Sequence, residues 1–310
     1  MAIDPTYGYT LPRLLEVGAP AAPADFATFW TELHDRARSV DPAPVMRGSG
    51  PVWEVEFTSL GGVRLGGWLS LPADGIVERG LVVGHGYGGR AAPDPAVPVE
   101  RAAVLSFCAR GMPSRSRQAG IPDTARLHVL HGISARDTYV HGGCAADVWC
   151  AVSALCKLVP AASGRIDYLG GSFGGGIGAL ALPWDDRISR ACLWVPSFGN
   201  HPLRLTMPCT GSGEAVRVHA RDHPSVVDVL RYFDAATAAQ FIHIPTHVGL
   251  ALADPAVPPP GQFAVYNALA GPKERFVLTA GHTDYPGRDN ETRALFDAQS
   301  AFLNPPMAGR

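Results

Sequence analysis

The sequence predicts an α/β fold: a doubly wound, mostly parallel sheet covered by helices on both faces. Three observations carry that prediction. Apolar runs of strand length alternate with segments of helical period along most of the chain. Hydrophobic residues make up 46% of the sequence and charged residues only 17%, below the roughly 25% usual for soluble proteins, so much of the chain is expected to be buried. No internal repeat or low-complexity linker interrupts the alternation, and 310 residues suit one large domain. The expected domain therefore spans residues 1–310, with 1–50 as an N-terminal helical extension and 196–224 as an insertion covering a cleft.

Taken in order, a Pro- and Gly-rich opening leads to a helix from Asp25 to about Arg38, with Phe26, Phe29, Trp30 and Leu33 on one face. Val52–Ser59 and Val63–Leu71 alternate apolar with polar residues about Gly61 and Gly62, the pattern of a β-hairpin. Buried strands follow at Gly80–Gly86, running into the loop Tyr87–Arg90, and at Ala102–Ala109, then an irregular stretch from Gly111 to Ala135 that reads as a functional loop. A helix is expected over Asp137–Val159, then a strand ending near Gly170 and a small-residue helix after Ser172. Ala191–Val195 reads as a strand, 196–224 as largely irregular, and Ser225–Gln240 as one helix. Thr246–Leu252 and Arg275–Thr279 complete the strands; Pro259–Leu269 and Asn290–Leu303 complete the helices.

Several function classes are excluded at this level. The net charge is −2 with no basic block, so neither nucleic acid nor a membrane surface is an expected partner. No stretch has ~18 uninterrupted apolar residues, and the N-terminus lacks the basic and apolar regions of an export signal; the expected location is the cytoplasm. Six cysteines at 108, 144, 150, 156, 192 and 209 lack Cys-x-x-Cys spacing and are read as reduced apolar residues, with no metal site. The pairs His219/His223 and His243/His247 are read as structural or surface groups. Trp149, Trp184 and Trp194 are assigned to the core, although Trp184, which follows the helix after Ser172, could approach the cleft.

The chemistry is concentrated in Gly170-Gly171-Ser172-Phe173-Gly174. A serine on a sharp strand-to-helix turn needs neighbours without side chains, and the bend aims its hydroxyl at a helix N-terminus. Two later strands end in Ala253-Asp254-Pro255 and Ala280-Gly281-His282. In an open parallel sheet the C-terminal strand ends form the ligand-binding edge, and the order Ser172, Asp254, His282 is that of the α/β-hydrolase fold. His282 would take the Ser172 proton, and Asp254 would hold the imidazole tautomer. The loop Gly84-His85-Gly86-Tyr87-Gly88-Gly89 follows a buried strand, where one donor of an oxyanion hole is commonly found; the candidate donors are the Tyr87 and Phe173 backbone N–H groups. No cofactor is expected.

Along most of its length the chain resembles the acetyl xylan esterase and cephalosporin C deacetylase family. The resemblance lies in Asp25-Phe-Ala-Thr-Phe-Trp30, His85-Gly-Tyr-Gly-Gly-Arg90, Arg110-Gly111, His131-Gly-Ile-Ser-Ala-Arg-Asp-Thr-Tyr139, Tyr232-Phe-Asp-Ala235, Val248-Gly-Leu250, Asp254, Pro258-Pro259 and Phe263-Ala-Val-Tyr-Asn267. It implies an α/β-hydrolase that removes short acyl groups, mostly acetyl, from sugars and similar alcohols without a metal. Ser172, Asp254 and His282 would form the triad, with Tyr87 and Phe173 giving the oxyanion hole, in a homo-oligomer of up to six copies. The chain departs from the family at Phe173, where Gln is usual, at Met112-Pro113, at His131 and at Thr283. These departures point to a less polar acylated alcohol, such as a natural-product ester or lactone, with Phe173 on the pocket floor. Acyl transfer to another alcohol, and lactone or thioester hydrolysis, use the same intermediate and stay open.

Overall fold

The computed structural model describes residues 3–305; Met1, Ala2 and residues 306–310, the extreme ends of the expected domain, lie outside the described residues. A short helix α1 (Leu11–Leu14) precedes α2 (Phe26–Arg38), whose Phe26, Phe29, Trp30 and Leu33 are buried as their spacing requires. The expected hairpin is present as β2 (Val52–Thr58) and β3 (Arg64–Ser70), turning through Gly61 and Gly62 at φ of 78° and 75°. An additional edge strand, β1 (Val45–Arg47), pairs with β2; its three exposed residues are too few to display an alternating pattern.

The parallel part begins with β4 (Arg79–Val83) and β5 (Ala102–Phe107), followed by the long loop, which contains one turn of helix, α3 (Ala125–His128). Then come α4 (Val140–Leu158), β6 (Ile166–Gly171), α5 (Phe173–Ala181) and β7 (Ile188–Trp194). Residues 196–224 are more ordered than their sequence suggests, folding as α6 (His201–Arg204) and α7 (Gly213–Asp222). Both are short and interrupted by Pro, Gly and Ser, and α7 buries only Val216 and Ala220, so the periodic signal is weak. The single helix expected over 225–240 is broken into α8 (Val226–Leu230), a 3₁₀ turn and α9 (Ala235–Ala239). The break is Asp234, whose carboxylate caps α9 by accepting from Ala236 N and Thr237 N and also receives the Asn200 and His201 N–H groups. The chain closes with β8 (Thr246–Ala251), α10 (Pro259–Ala268), β9 (Lys273–Leu278) and α11 (Arg288–Leu303).

Among the described residues nine strands form one sheet in the order β1-β2-β3-β5-β4-β6-β7-β8-β9, antiparallel up to β5 and parallel from β5 to β9. The inner parallel strands β4, β5, β6 and β8 are buried along their whole length, because helices cover both faces, whereas the edge strand β9 is mostly exposed. In β4, Val82 joins the large core with α2, α4 and α5, whereas Leu81 and Val83 face Phe302 and Leu303 of α11. Connections from β4 run to β5 on one side and from β5 back past β4 to β6 on the other. The loops after β4 and β6 therefore splay apart into a crevice at a topological switch point.

Candidate active site

Ser172 sits between β6 and α5 at φ 52° and ψ −114°, a conformation that L-residues rarely adopt and that costs on the order of 1–3 kcal/mol. The neighbouring glycines let the chain hold it. A Cβ on Gly170 would lie 2.6 Å from the Gly174 carbonyl oxygen, one on Gly174 would lie 2.9 Å from His85 O, and one on Gly171 would run into the Trp194 indole. The turn is anchored by Ser172 N donating to Trp194 O and by Gly174 N donating to His85 O, both at 2.9 Å. The second bond fixes the loop after β4 against the N-terminus of α5.

The three side chains singled out from the sequence meet here. His282 Nε2 lies 2.9 Å from Ser172 Oγ, and His282 Nδ1 lies 2.7 Å from Asp254 Oδ2. Asp254 is fully buried, yet every lone-pair direction is used. Its Oδ1 accepts from Ala256 N and Val257 N, and its Oδ2 also accepts from Gln262 Nε2 at 3.0 Å. This environment leaves Nδ1–H on the imidazole as the donor to Asp254 and Nε2 free to accept from Ser172. Gln262 spans the gap behind it, with Oε1 accepting from Ala251 N and Nε2 donating to Val257 O. Sequence reasoning missed Gln262; the available signal was an amide in the first turn of a mostly apolar helix.

Tyr87 lines the crevice and Phe173 directly follows Ser172; among the described residues neither backbone N–H donates to a backbone acceptor. The loop carrying Tyr87 is braced by three histidines that sequence reasoning did not single out. His85 donates from Nδ1 to Gly86 O and accepts at Nε2 from Ala109 N, so it is neutral; burial pushes its pKa down to about 4. His128 donates from Nε2 to Arg110 O, which leaves Nδ1 to accept from the Tyr87 hydroxyl at 3.0 Å. His141 Nε2 approaches the same hydroxyl at 3.3 Å and is its donor. Burial holds His128 down to about 4 and His141 well below the ordinary imidazole value, which keeps this directional chain in its neutral form.

Above Ser172 opens a cavity of about 480 Å³ shared by Ser172, His282, Tyr87 and residues of α6, α7 and the segment between them. Its apolar wall is Phe198, Leu205, Val216, Ala256 and Val257; the guanidinium groups of Arg126 and Arg204 and the imidazoles of His201 and His282 also line it. The Phe173 ring is not part of that floor. It lies beneath, 2% exposed, with its centroid 4.3 Å from the Tyr87 ring and 5.8 Å from that of His85, because the first turn of α5 directs it into the core. Trp184 likewise stays away from the cleft, stacked on Trp30 and Phe241.

Among the described residues no group of three or more His, Cys, Asp or Glu side chains could hold a metal ion. His219 and His223 stack on each other at the end of α7, and His247 is buried in β8. All six cysteines are free, and among the described residues no helix is long and apolar enough to cross a membrane.

A model of the acetyl xylan esterase family matches residues 15–299. An acetyl xylan esterase from Paenibacillus sp. R4 superposes with a TM-score of 0.80 at 23% identity, covering 94% of this chain and 99% of that one. Acetyl xylan esterase 1 from Thermoanaerobacterium sp. JW/SL YS485 gives 0.78 at 20% identity, covering 94% and 98%. The α/β hydrolase GrgF from Penicillium sp. sh18 gives 0.59 at 19% identity, covering 84% and 100%. These likenesses show an α/β-hydrolase fold.

Proposed function

The chain belongs to the acetyl xylan esterase family and is a carboxylic ester hydrolase, and from that premise we propose that it removes short acyl groups, acetyl above all, from a sugar or natural-product alcohol through an acyl-enzyme on Ser172. The observation that carries this reading is the unbroken line Ser172 Oγ, His282 Nε2, His282 Nδ1, Asp254 Oδ2, with spacings of 2.9 and 2.7 Å. As Ser172 attacks the acyl carbonyl, His282 takes its proton and Asp254 stabilises the imidazolium. The carbonyl oxygen becomes an alkoxide facing the Tyr87 and Phe173 N–H groups, and one such donor is worth about 10²–10³ in kcat. Collapse of the tetrahedral intermediate expels the alcohol, which leaves with the proton from His282. Water then enters, gives its proton to His282 and releases the carboxylic acid, regenerating Ser172.

Residues 196–224 serve in this reading as the cover of the crevice within a single α/β-hydrolase domain, since this segment contributes more of the cavity lining than the rest of the chain. Six free thiols suit a reducing compartment, and assembly into a homo-oligomer is tested by light scattering. For the activity itself, p-nitrophenyl acetate turnover by wild type and Ser172→Ala is decisive: kcat/KM falls by about 10⁴ or more. Retained turnover in the variant removes Ser172 from the chemistry. Wild-type preference for acyl chains longer than about four carbons contradicts the short-acyl assignment. A requirement for an added alcohol before acyl-enzyme turns over identifies an acyltransferase instead.

A further inference from the structure

We propose that the ester cleaved at this site carries a carboxylate, or an anion of similar size, and that Arg204 binds it with help from Arg126. The proposal rests on the esterase reading above and specifies its substrate. Arg204 belongs to α6 and lines the same cavity as Ser172 and His282, yet it is only 9% exposed. A buried guanidinium is ordinarily paired with a carboxylate, because desolvating an isolated cation is expensive. Here, among the described residues, no carboxylate comes within ion-pair distance of it.

Its two protein partners are both uncharged: Nη1 donates to Met207 O at 3.1 Å and Nη2 to Cys209 Sγ at 3.0 Å. These bonds orient the guanidinium without neutralising it, and they leave donors of its five-donor fork free. The nearby acid that could serve, Glu214, is already held by Arg217 through both oxygens, at 2.9 and 2.7 Å, and accepts from Cys209 N.

The guanidinium packs closely on the segment before α7: a Cβ on Gly213 would run into Arg204 Nη2, so only glycine fits beside it. Gly211, Ser212 and Gly213 bring the positive end of the ten-residue α7 to the same wall. Arg126, exposed in α3, lines the cavity as well and forms no ion pair among the described residues. Among the described residues no aspartate or glutamate lines the cavity; Asp254 is fully buried behind His282, its oxygens occupied. A cavity with two arginines and no lining acid has complementary charge for an anionic ligand, and a planar fork matches a carboxylate in two-point contact. The apolar wall of Phe198, Leu205 and Val216 then accommodates the carbon frame between anion and ester.

The anion can reside on the alcohol or on the acyl part of the ester, and paired substrates separate the two. 4-Acetoxybenzoate against phenyl acetate tests the alcohol side; monoethyl malonate against ethyl propanoate tests the acyl side. For one of these pairs, the ratio of kcat/KM for the anionic to the neutral ester drops by about tenfold or more in Arg204→Met, recovers in part in Arg204→Lys, and drops by less in Arg126→Gln. Taking the ratio cancels intrinsic reactivity and any general loss of structure. A ratio unchanged by Arg204→Met in both pairs means that Arg204 merely ties down the 205–209 turn, and the proposal fails. If Arg204→Met does not fold, wild type decides: benzoate inhibits phenyl acetate turnover about tenfold more tightly than benzyl alcohol, and equal inhibition overturns the proposal. Failure of the esterase reading is distinct, since it would appear as phenyl acetate turnover surviving Ser172→Ala.

Discussion

At the scale of single residues, the site depends on groups held in states that water would not favour. Ser172 and His282 both occupy positive φ, at 52° and 50°, and each is tied into position by hydrogen bonds from a different strand end. The histidines behind the Tyr87 loop are kept neutral by burial, and in His85 and His128 each imidazole nitrogen also has an assigned duty as donor or acceptor. This has a consequence for stability. The folded-state pKa of His85 and of His128 is about 4, against about 6.5 in the unfolded chain. Between those values the unfolded chain binds protons that the folded one refuses, so stability is fully present above about pH 6.5 and is lost as the pH falls toward 4. Each histidine contributes on the order of 3 kcal/mol across that window. Urea denaturation at pH 7.5, 5.5 and 4.5 measures the decline, and replacing His128 with Gln flattens part of it. A profile that is flat for wild type would contradict the neutral assignment.

At the scale of elements, each reactive side chain is delivered by a strand that ends one short loop before it: β6 before Ser172, β8 before Asp254 and β9 before His282. The loops are constrained as tightly as the strands. Gly281 N donates to Ala253 O at 2.8 Å, joining the aspartate loop to the histidine loop, and a Cβ on Gly281 would run into Asp254 Oδ2. Gly281→Ala therefore pushes the carboxylate off Nδ1. The expected result is a fall in kcat of about tenfold or more with little change in KM, because imidazole orientation matters in the transition state rather than in binding. An alanine variant with unaltered kcat would show that the two loops can separate without harm. Gly281 was quoted from the sequence only as part of Ala-Gly-His, and its packing against Asp254 is a contact between loops 27 positions apart.

At the scale of the whole molecule, one buried network links the antiparallel and parallel parts. Asp147 of α4 is fully buried. It takes Arg110 Nε and Nη2 after β5, the Arg110 N–H, and the Ser59 hydroxyl at the end of β2. Removing the carboxylate strands a guanidinium in the interior, so Asp147→Ala costs about 3–5 kcal/mol, read as a lower urea midpoint; a loss under ~1 kcal/mol would show the pair to be dispensable. The sequence by itself determined the α/β class, the hairpin, the elbow and the order of serine, aspartate and histidine. Those features are written in neighbouring residues: period-two and period-3.6 patterns, and glycines where the backbone must turn. It did not disclose that 225–240 breaks at Asp234, that Phe173 turns into the core, that Gln262 supports Asp254, or that Arg204 is left without a carboxylate. Those outcomes were decided by the tertiary structure, because whether a polar or aromatic group finds a partner depends on residues brought within a few ångströms by packing, and local periodicity carries no record of them.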